Sequence, residues 1–268
     1  MDQSDSEPIT IITPLYDRKK FLPLMICNIE NFLYNKKMID WIILDSWGQN
    51  GDKATPLLDN LELENLKKRL SPVSISYTYL KKAMTIGEKR NWLSKKAKTK
   101  YIICMDSDDI YCPEYLDYSV KVLKHTKKSC CGSPQMLFMY PYHNYTTTFI
   151  SCQAMRQIHE ATMCYTQKHF KRMGGFATRG NGEGARMVDG CNESFFEKTN
   201  VASCMICLCH ESNSVNKDVF LEKGHKVDVE IKLPNHMKIV KEIFSECESS
   251  QNLPTARKNN DSTPETPL

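Results

Sequence analysis

The chain has 268 residues, enough for one large α/β domain or two small ones, and we predict a single domain with a tail. Its net charge of +4 comes from Lys and Arg spread through predicted helices, which favours anionic small-molecule ligands and argues against nucleic acid as a partner. The sequence shows neither a secretory signal nor an apolar stretch long enough to span a membrane, and this predicts a cytoplasmic protein.

Strand and helix patterns alternate through the first half of the chain. Apolar, β-branched runs predict strands over residues 9–15, 41–45, 74–79 and 101–105, and amphipathic segments predict helices over 19–34, 56–70, 88–97 and 113–125. Such alternation is typical of a mostly parallel sheet that helices cover on both faces. We therefore predict an α/β fold.

The second half is less regular. Strand-like pieces at residues 135–140, 147–152 and 162–165 lead to a Gly-rich stretch, MGGFATRGNGEGARM, and then to an apolar segment at 201–209 and a helix at 236–247. We predict that residues 1–7 and 248–268 are disordered, because they contain little that a core could bury.

Polar turns follow three of the predicted strands in the first half: TPLYDR, DSWGQ and DSDD. The carboxyl ends of parallel strands lie along one edge of a sheet, and ligands bind in the crevice beyond that edge. These turns therefore predict a ligand site there.

The segment DSDD carries three carboxylates, of Asp106, Asp108 and Asp109. Because side chains alternate along an extended chain, Asp106 and Asp108 project to one side, where a hard divalent cation such as Mn²⁺ or Mg²⁺ would offset their repulsion. The alternative is an N-cap for the helix predicted at residue 113. One cap needs one carboxylate, so the cap explains at most Asp109.

The segment TIGEKRNW, which precedes the fourth strand, predicts a site for anions. Gly87 allows a tight entry into the helix and Glu88 complements its start. Lys89 and Arg90 fall in the first turn, where a helix N-terminus already favours negative charge. A diphosphate is a suitable ligand for this arrangement.

These segments together resemble a known family. ITIITPLYDRKKFL, WIILDSWGQ, GEKRNW and YIICMDSDD are similar, in order and spacing, to the donor half of family 2-type glycosyltransferases with the GT-A fold, and HFKRMGGF continues the resemblance weakly. The resemblance implies one GT-A domain over residues 8–247, with a nucleotide-sugar-binding half at 8–125 and a smaller acceptor-binding half at 126–247. The chain is also similar to soluble transferases of large algal DNA viruses, which act in host cytoplasm.

The resemblance assigns residues to the nucleotide sugar and the metal. Asp45 would bind the base, Arg90 the base or the diphosphate, and Asp108 the metal. Asp106 would lie near the ribose or the metal, and His210 in CLCHESNS is a candidate third ligand for Mn²⁺ or Mg²⁺. The remaining residues assigned to the nucleotide sugar are Thr13, Pro14, Leu15, Tyr16, Gly87 and Ser107.

A rival use of His210 is structural zinc, with Cys204, Cys207 and Cys209. That spacing lacks two separated ligand pairs, and Cys207 and Cys209 share one face of a strand. We therefore prefer the metal site at Asp108.

The catalytic base is the point at which the sequence departs from the family. The family often carries a Glu-Asp pair after Gly-Gly-Phe, whereas Glu183 is followed here by Gly184. We name Glu183 as the first candidate base and Asp189 as the second, because both follow the Gly-rich turn. On the acceptor side, His159, Glu160 and Tyr165 are polar and aromatic residues of the kind that suits a sugar acceptor, although nothing in their spacing requires this role.

The function implied is a metal-dependent glycosyltransferase that moves a sugar from a nucleoside diphosphate sugar, a UDP-sugar, to a glycan or other hydroxyl acceptor with inversion. A sugar nucleotidyltransferase is one alternative, although TPLYDRKK lacks the Gly-rich phosphate loop expected of it. A catalytically silent nucleotide-sugar-binding module is the other, and the Gly184 departure keeps it open.

Overall fold

The structure is a computed structural model, and it describes residues 6–152, 154, 157–190, 194–213, 217–229 and 231–250. Within these residues the strands, numbered in chain order, are β1 (Ile9–Leu15), β2 (Ile39–Trp47), β3 (Ser74–Ala83), β4 (Tyr101–Cys104), β5 (Ile110–Tyr111), β6 (Cys130–Gly132), β7 (Gln135–Tyr140), β8 (Thr146–Ser151), β9 (Cys164–Thr166), β10 (Phe196–Lys198), β11 (Met205–Leu208) and β12 (His225–Lys226). The helices are α1 (Leu22–Asn31), α2 (Asn60–Leu70), α3 (Ile86–Lys96), α4 (Tyr115–Thr126), α5 (Gln167–Met173), α6 (Ala185–Val188), α7 (Val219–Lys223) and α8 (Pro234–Ser250).

The larger sheet has the strand order β10-β6-β9-β4-β1-β2-β3. Strands β4, β1, β2 and β3 run parallel, whereas β9 is antiparallel to both of its neighbours. In this register Leu15, the last residue of β1, lies opposite Asp45 near the end of β2. The carboxyl ends of the parallel strands therefore meet at one edge, as the sequence predicted.

Both faces of this sheet are buried because consecutive strand residues point to opposite sides. In β1, Ile11 packs with residues of α1, α2 and α4, while Ile12 packs on the other face with residues of α3, α5 and α6. Trp41 in β2 is fully buried, and its Nε1 donates a hydrogen bond to Oγ1 of Thr13 at 2.9 Å. The prediction of an α/β fold with a mostly parallel, helix-covered sheet is confirmed.

A smaller sheet follows, in the order β12-β8-β7-β11-β5. Its apolar residues, such as Leu137 and Leu208, pack against Val240 and Phe244 of α8 and Phe21 at the start of α1. This sheet places the turn after β11, with His210, beside the edge of the larger sheet. It is built mostly from the second half of the chain.

Element boundaries differ from the predictions where local hydrogen bonds decide them. The helix predicted at 56–70 begins only at Asn60, because Asp59 accepts from the backbone N–H of Glu62 and completes a capping box. The helix predicted at 19–34 divides into a 3₁₀ turn and α1. The last helix extends to Ser250, and residues 1–5 and 251–268 of the predicted disordered ends lie outside the described residues.

Candidate active site

A cavity of about 750 Å³ opens at the carboxyl edge of the larger sheet. It is bordered by the ends of β1 and β4, the first turn of α3, the Gly-rich loop before α6 and the turn after β11. Its lining includes predicted site residues from four of these five elements: Pro14, Leu15, Tyr16, Arg90, Asp106, Ser107, Asp108 and Glu183. The turn after β11 contributes Ser212 and Asn213, whereas its predicted residue, His210, is buried behind the lining.

Asp106 is tied to Arg90. Nη2 of Arg90 donates to both carboxylate oxygens of Asp106, at 2.8 and 3.1 Å, and its Nε donates to Oε1 of Glu183 at 2.9 Å. Arg90 is 1% exposed, and its Nη1 has no hydrogen-bond partner in the described part of the chain. Arg90 thus holds two carboxylates of the cavity in place rather than presenting a free guanidinium.

Asp108 lies at the centre of a second polar cluster. Its Oδ2 is 3.1 Å from Nε2 of His210 and 3.4 Å from Nε of Arg18, and Nδ2 of Asn213 approaches the same oxygen at 3.4 Å. Burial by itself would raise the pKa of the Asp108 carboxyl, but the hydrogen bond from His210 and the charge of Arg18 lower it below its usual range. Asp108 is therefore ionised at neutral pH.

The imidazole of His210 is fixed by its surroundings. Its side chain is fully buried, with its ring 4.8 Å from that of Phe21, and its Nδ1 lies 2.9 Å from Oγ of Ser212. Burial lowers the pKa of His210, which favours the neutral ring. To bind a metal ion through Nε2, the neutral ring would have to carry its proton on Nδ1, where Oγ of Ser212 can accept it.

Asp109, which also borders the cavity, makes its hydrogen bond to the smaller sheet rather than to either cluster. It is 3% exposed, and its Oδ1 accepts from the backbone N–H of Leu208 in β11 at 3.0 Å. Burial, followed by the charges of Cys207 and Asp108, raises its pKa well above the usual range. The alternative interpretation as a helix cap is wrong, because the N-cap residue of α4 is Glu114, which makes no side-chain cap hydrogen bond, and Asp109 connects two strands of the smaller sheet instead.

The donor atoms at Asp108 and His210 fit a divalent cation that takes few protein ligands. Adjacent ligands of an octahedral ion at about 2.1 Å are about 3 Å apart, close to the 3.1 Å between Oδ2 of Asp108 and Nε2 of His210. The described residues contain no group of three or more His, Cys, Asp or Glu side chains placed to hold one ion. A cation here would therefore complete its coordination with phosphate and water oxygens, as Mg²⁺ often does.

The zinc alternative uses the same histidine. The ring of His210 engages Asp108, and the thiol of Cys207 accepts from Nζ of Lys217 at 2.8 Å. His210 and Cys207, two of the four candidate zinc ligands, therefore bind different polar partners.

Residues predicted to pass along the nucleotide base divide into two groups. Pro14, Leu15 and Tyr16 line the cavity, whereas Thr13 is fully buried against Trp41 in the sheet. Lys89, from the first turn of α3, donates to the backbone oxygen of Leu15. Burial lowers the pKa of Lys89 to about 8, although Asp45 opposes this shift.

Asp45 is buried near the end of β2 and is not among the cavity residues. It is 2% exposed, and its Oδ2 accepts from the backbone N–H of Leu57 at 2.9 Å and from the hydroxyl of Tyr77 at 2.8 Å. Its Oδ1 is buried and lacks a hydrogen-bond partner among the residues that the structure describes. Burial raises the pKa of Asp45 above its usual value. Base binding by Asp45 stays a prediction.

Gly87 serves a close approach between two elements. A Cβ at this position would overlap the backbone oxygen of Ala177, and the N–H of Gly87 donates to the backbone oxygen of Arg179 at 3.3 Å. The first turn of α3 can therefore lie directly against the Gly-rich loop. This contact places Arg90 next to Glu183.

The two candidate bases lie in different places. Glu183 is 3% exposed and lines the cavity, whereas Asp189 is exposed at the C-terminal end of α6 and is not among the cavity residues. Their catalytic roles stay predictions. Sequence reasoning did not assign a role to Arg18, Lys217 or Asn213, which also line the cavity. Of these three residues, only Arg18 could have been found from the sequence pattern, because it is the last residue of the polar turn TPLYDR after β1.

Comparison with known protein families identifies the family of this chain. The profile described as glycosyl transferase family 2 matches residues 10–181, more than half of the chain. The chain belongs to glycosyl transferase family 2. This assignment as a glycosyltransferase separates it from the sugar nucleotidyltransferases that the sequence left open. No curated protein matches the sequence significantly.

Solved structures of other glycosyltransferases share the fold of this one. A mannosyltransferase from Pyrobaculum calidifontis, in complex with GDP-Man and Mn²⁺, is 12% identical with a TM-score of 0.61, covering 94% of this chain and 78% of its own. S. aureus TarS in complex with UDP-GlcNAc is 15% identical with a TM-score of 0.57, covering 90% and 73%. Among the described residues, none of the helices has the length and apolar character needed to cross a membrane.

Proposed function

We propose that the protein transfers a sugar from a nucleoside diphosphate sugar to a hydroxyl group of a glycan or glycoconjugate, with inversion and with the help of Mn²⁺ or Mg²⁺. The observation that carries the proposal is the contact at 3.1 Å between Oδ2 of Asp108, which lines the cavity beyond the parallel strands, and Nε2 of the buried His210 behind it. The two structural neighbours, which are complexes with GDP-Man and Mn²⁺ and with UDP-GlcNAc, support a nucleotide-sugar donor.

The residues of this cavity have separate tasks in the proposed reaction. Asp108 and His210 would hold the cation, which neutralises the charge that develops on the leaving diphosphate. Lys217 and Arg18, which line the same cavity, add positive charge near that position. Asp106 and Glu183, both fixed by Arg90, shape the region between the diphosphate and the acceptor.

Inversion needs no covalent intermediate on the enzyme. The acceptor oxygen attacks the anomeric carbon directly, the bond to the diphosphate breaks, and a carboxylate in the cavity takes the proton of the acceptor hydroxyl. We propose a UDP-sugar as donor, because the similar structure of S. aureus TarS is a complex with UDP-GlcNAc, and we keep Asp45 as the predicted acceptor for the imide N–H of uracil.

A panel of donors tests the function. The protein is incubated with UDP-glucose, UDP-GlcNAc, a UDP-linked deoxysugar and GDP-mannose, with Mn²⁺ or with EDTA, and released nucleoside diphosphate is measured with water or added sugars as acceptor. We expect release from one donor that EDTA abolishes and Mn²⁺ restores. Release that EDTA leaves unchanged contradicts the metal dependence, and absence of release from every donor contradicts the transferase proposal.

The stereochemistry of the same reaction can be read by NMR. The donor has a defined anomeric configuration, and the first product formed from it should have the opposite one if displacement is direct. Retention of configuration would contradict the inverting mechanism while leaving the transferase function in place.

A further inference from the structure

Glu160 places a second carboxylate beside Glu183, from a different part of the chain. It begins a short 3₁₀ turn (Glu160–Thr162) ahead of β9, is half-buried and lines the cavity. Its Oε1 accepts from the backbone N–H of Gly184 at 3.2 Å. The carboxylate therefore lies directly against the residue that follows Glu183.

Gly184 has a backbone that any residue could adopt, with φ −70° and ψ −21°. What excludes a side chain there is Glu160: a Cβ on Gly184 would overlap Cγ of Glu160 and lie 3.2 Å from both Cδ and Oε1. The carboxylate of Glu160 thus occupies the room that a side chain at position 184 would need. The turn before β9 thus supplies a carboxylate directly beside the residue that follows Glu183.

Glu183 and Glu160 differ in what binds them. Oε1 of Glu183 accepts from Nε of Arg90 at 2.9 Å, and both of those side chains are almost completely buried. A carboxylate held by a buried guanidinium gains little from taking up a proton, because protonation would break the ion pair. The hydrogen bond on Glu160 comes from a neutral backbone N–H, so its carboxylate can take up a proton without breaking an ion pair of the kind that holds Glu183.

The charged groups that face Glu160 act in opposite directions. Burial first, and then the negative charge of Glu183, raise its pKa to about 7, while Arg90 and the N–H of Gly184 lower it. A general base is most effective when its pKa lies near the working pH. The raised pKa of Glu160 therefore suits the role that its position beside Glu183 indicates.

We propose that Glu160 is the catalytic base of this glycosyltransferase and that Glu183 is a positioning residue that holds Arg90. This proposal rests on the proposed function. The acceptor oxygen forms a bond to the anomeric carbon of the donor, and its proton passes to the carboxylate of Glu160. The bond from that carbon to the diphosphate oxygen breaks, and its electron pair leaves with the nucleoside diphosphate.

The first test compares two variants with the wild-type protein on the donor that the wild-type protein turns over best, with water as acceptor. Glu160→Gln should lower kcat by about 100- to 10,000-fold, the usual contribution of a general base, while KM for the donor changes little. The matched control is Glu64→Gln, an exposed carboxylate of α2 that pairs with Lys67, and it should keep wild-type kcat. Thermal unfolding of each variant confirms that it is folded.

The pH profile separates the base from its neighbour. In the wild-type protein kcat should rise with pH as one group near pH 7 loses its proton. Glu160→Gln should remove this dependence, whereas Glu183→Gln should shift it to lower pH, because the negative charge that raises the pKa of Glu160 is gone. A purely structural role for Glu160 would leave the profile in place.

Two experiments that restore activity separate the loss of a catalytic carboxylate from a general loss of structure. Glu160→Ala should be inactive and should regain activity with added formate, which supplies a carboxylate. The double variant E160A/G184D should also regain part of the activity, because removing the Glu160 side chain opens the room for one at position 184. In the wild-type background, G184D should lower Tm through the overlap.

The outcomes are distinct. Loss of kcat in Glu160→Gln, together with rescue by formate or by G184D, supports the proposal. Wild-type kcat in Glu160→Gln, or an unchanged pH profile, overturns the proposal while leaving the transferase function in place. Absence of nucleoside diphosphate release by the wild-type protein from every donor overturns the proposed function itself.

Discussion

Asp108 and Asp109 are neighbours in sequence but serve different parts of the molecule. Asp108 meets Arg18 at the cavity and the buried His210 behind it, and Asp109 binds the backbone of Leu208. We expect Asp108→Asn to lose metal-dependent turnover at nearly unchanged stability, measured by donor turnover with Mn²⁺ and by urea unfolding. Asp109→Asn keeps an oxygen for the N–H of Leu208 and should keep most of the turnover.

Asp109→Ala provides the contrast for this pair. It leaves the buried N–H of Leu208 without an acceptor, which should lower the free energy of unfolding by about 1–3 kcal/mol. Equal loss of turnover in Asp108→Asn and Asp109→Asn would contradict the division between a binding carboxylate and a structural one.

The raised pKa of Glu160 predicts how stability depends on pH. Because this carboxyl has a pKa of about 7 when folded and 4.5 as its ordinary value, the folded state binds more protons than the unfolded state between these pH values. Its contribution to stability is therefore complete below pH 4.5 and is lost as pH rises through 7. Glu160→Gln, which resembles the protonated form, should avoid this loss.

Thermal unfolding of both proteins from pH 5 to pH 8 measures the effect. The Tm of wild type relative to Glu160→Gln should fall with rising pH, by about 2–4 °C for each kcal/mol lost. A Tm difference that is the same at every pH would show that Glu160 titrates near its ordinary value.

At the scale of elements, the start of α3 determines where Lys89 and Arg90 lie. Thr85 accepts from the N–H of Glu88, and Glu88 accepts from the N–H of Thr85, which forms a capping box. Thr85→Ala should lower the free energy of unfolding by about 1 kcal/mol and also raise KM for the donor, because the turn that carries both basic residues loosens.

Asp59→Ala is the matched control, because α2 begins with the same kind of box. Asp59 is exposed and is not part of the cavity lining. It should lose similar stability in urea unfolding while donor kinetics stay unchanged. A similar KM change in both variants would mean that general destabilisation, rather than the position of α3, is responsible.

The sequence predicted the elements whose pattern is local. Strands β1, β2, β3, β4 and β7 and helices α2, α3 and α4 have strong periodicity, and their predicted positions agree with the structure to within a few residues. Strands β5, β6, β10 and β12 have two or three residues each, too few for a period to show. They form because partner strands, distant in sequence, supply their hydrogen bonds.

At the scale of the whole molecule, the site is assembled by contacts that no local pattern encodes. The order of the parallel strands brings the predicted turns after β1 and β4 to one edge, which the sequence anticipated. The contact between Asp108 and His210 spans 102 residues, and that between Arg90 and Glu183 spans 93. Arg18 and Glu160 also reach the site through contacts between residues distant in sequence. The sequence shows that one is a cation and the other a carboxylate, but it does not show which residues they contact.

The assembled cavity also predicts how ligands affect the stability of the whole fold. Because the site draws on β1, β4, α3, the Gly-rich loop and the turn after β11, a ligand bound there joins elements of both sheets. A ligand that binds only the folded state stabilises it by about 2.7 kcal/mol at 100 times its Kd. Saturating UDP with Mn²⁺ should therefore raise Tm by about 5–10 °C.

Variants of Asp108 and Asp109, and GDP in place of UDP, test which contacts produce this rise in Tm. In Asp108→Asn the shift with UDP should no longer depend on Mn²⁺, whereas Asp109→Asn, whose carboxylate faces the smaller sheet, should keep the Mn²⁺-dependent shift. GDP in place of UDP should give a smaller shift if the unpaired Oδ1 of Asp45 receives the uracil N–H. An equal Mn²⁺-dependent shift in Asp108→Asn and wild type would place the cation elsewhere in the cavity, and an equal shift with GDP and UDP would remove Asp45 from base selection.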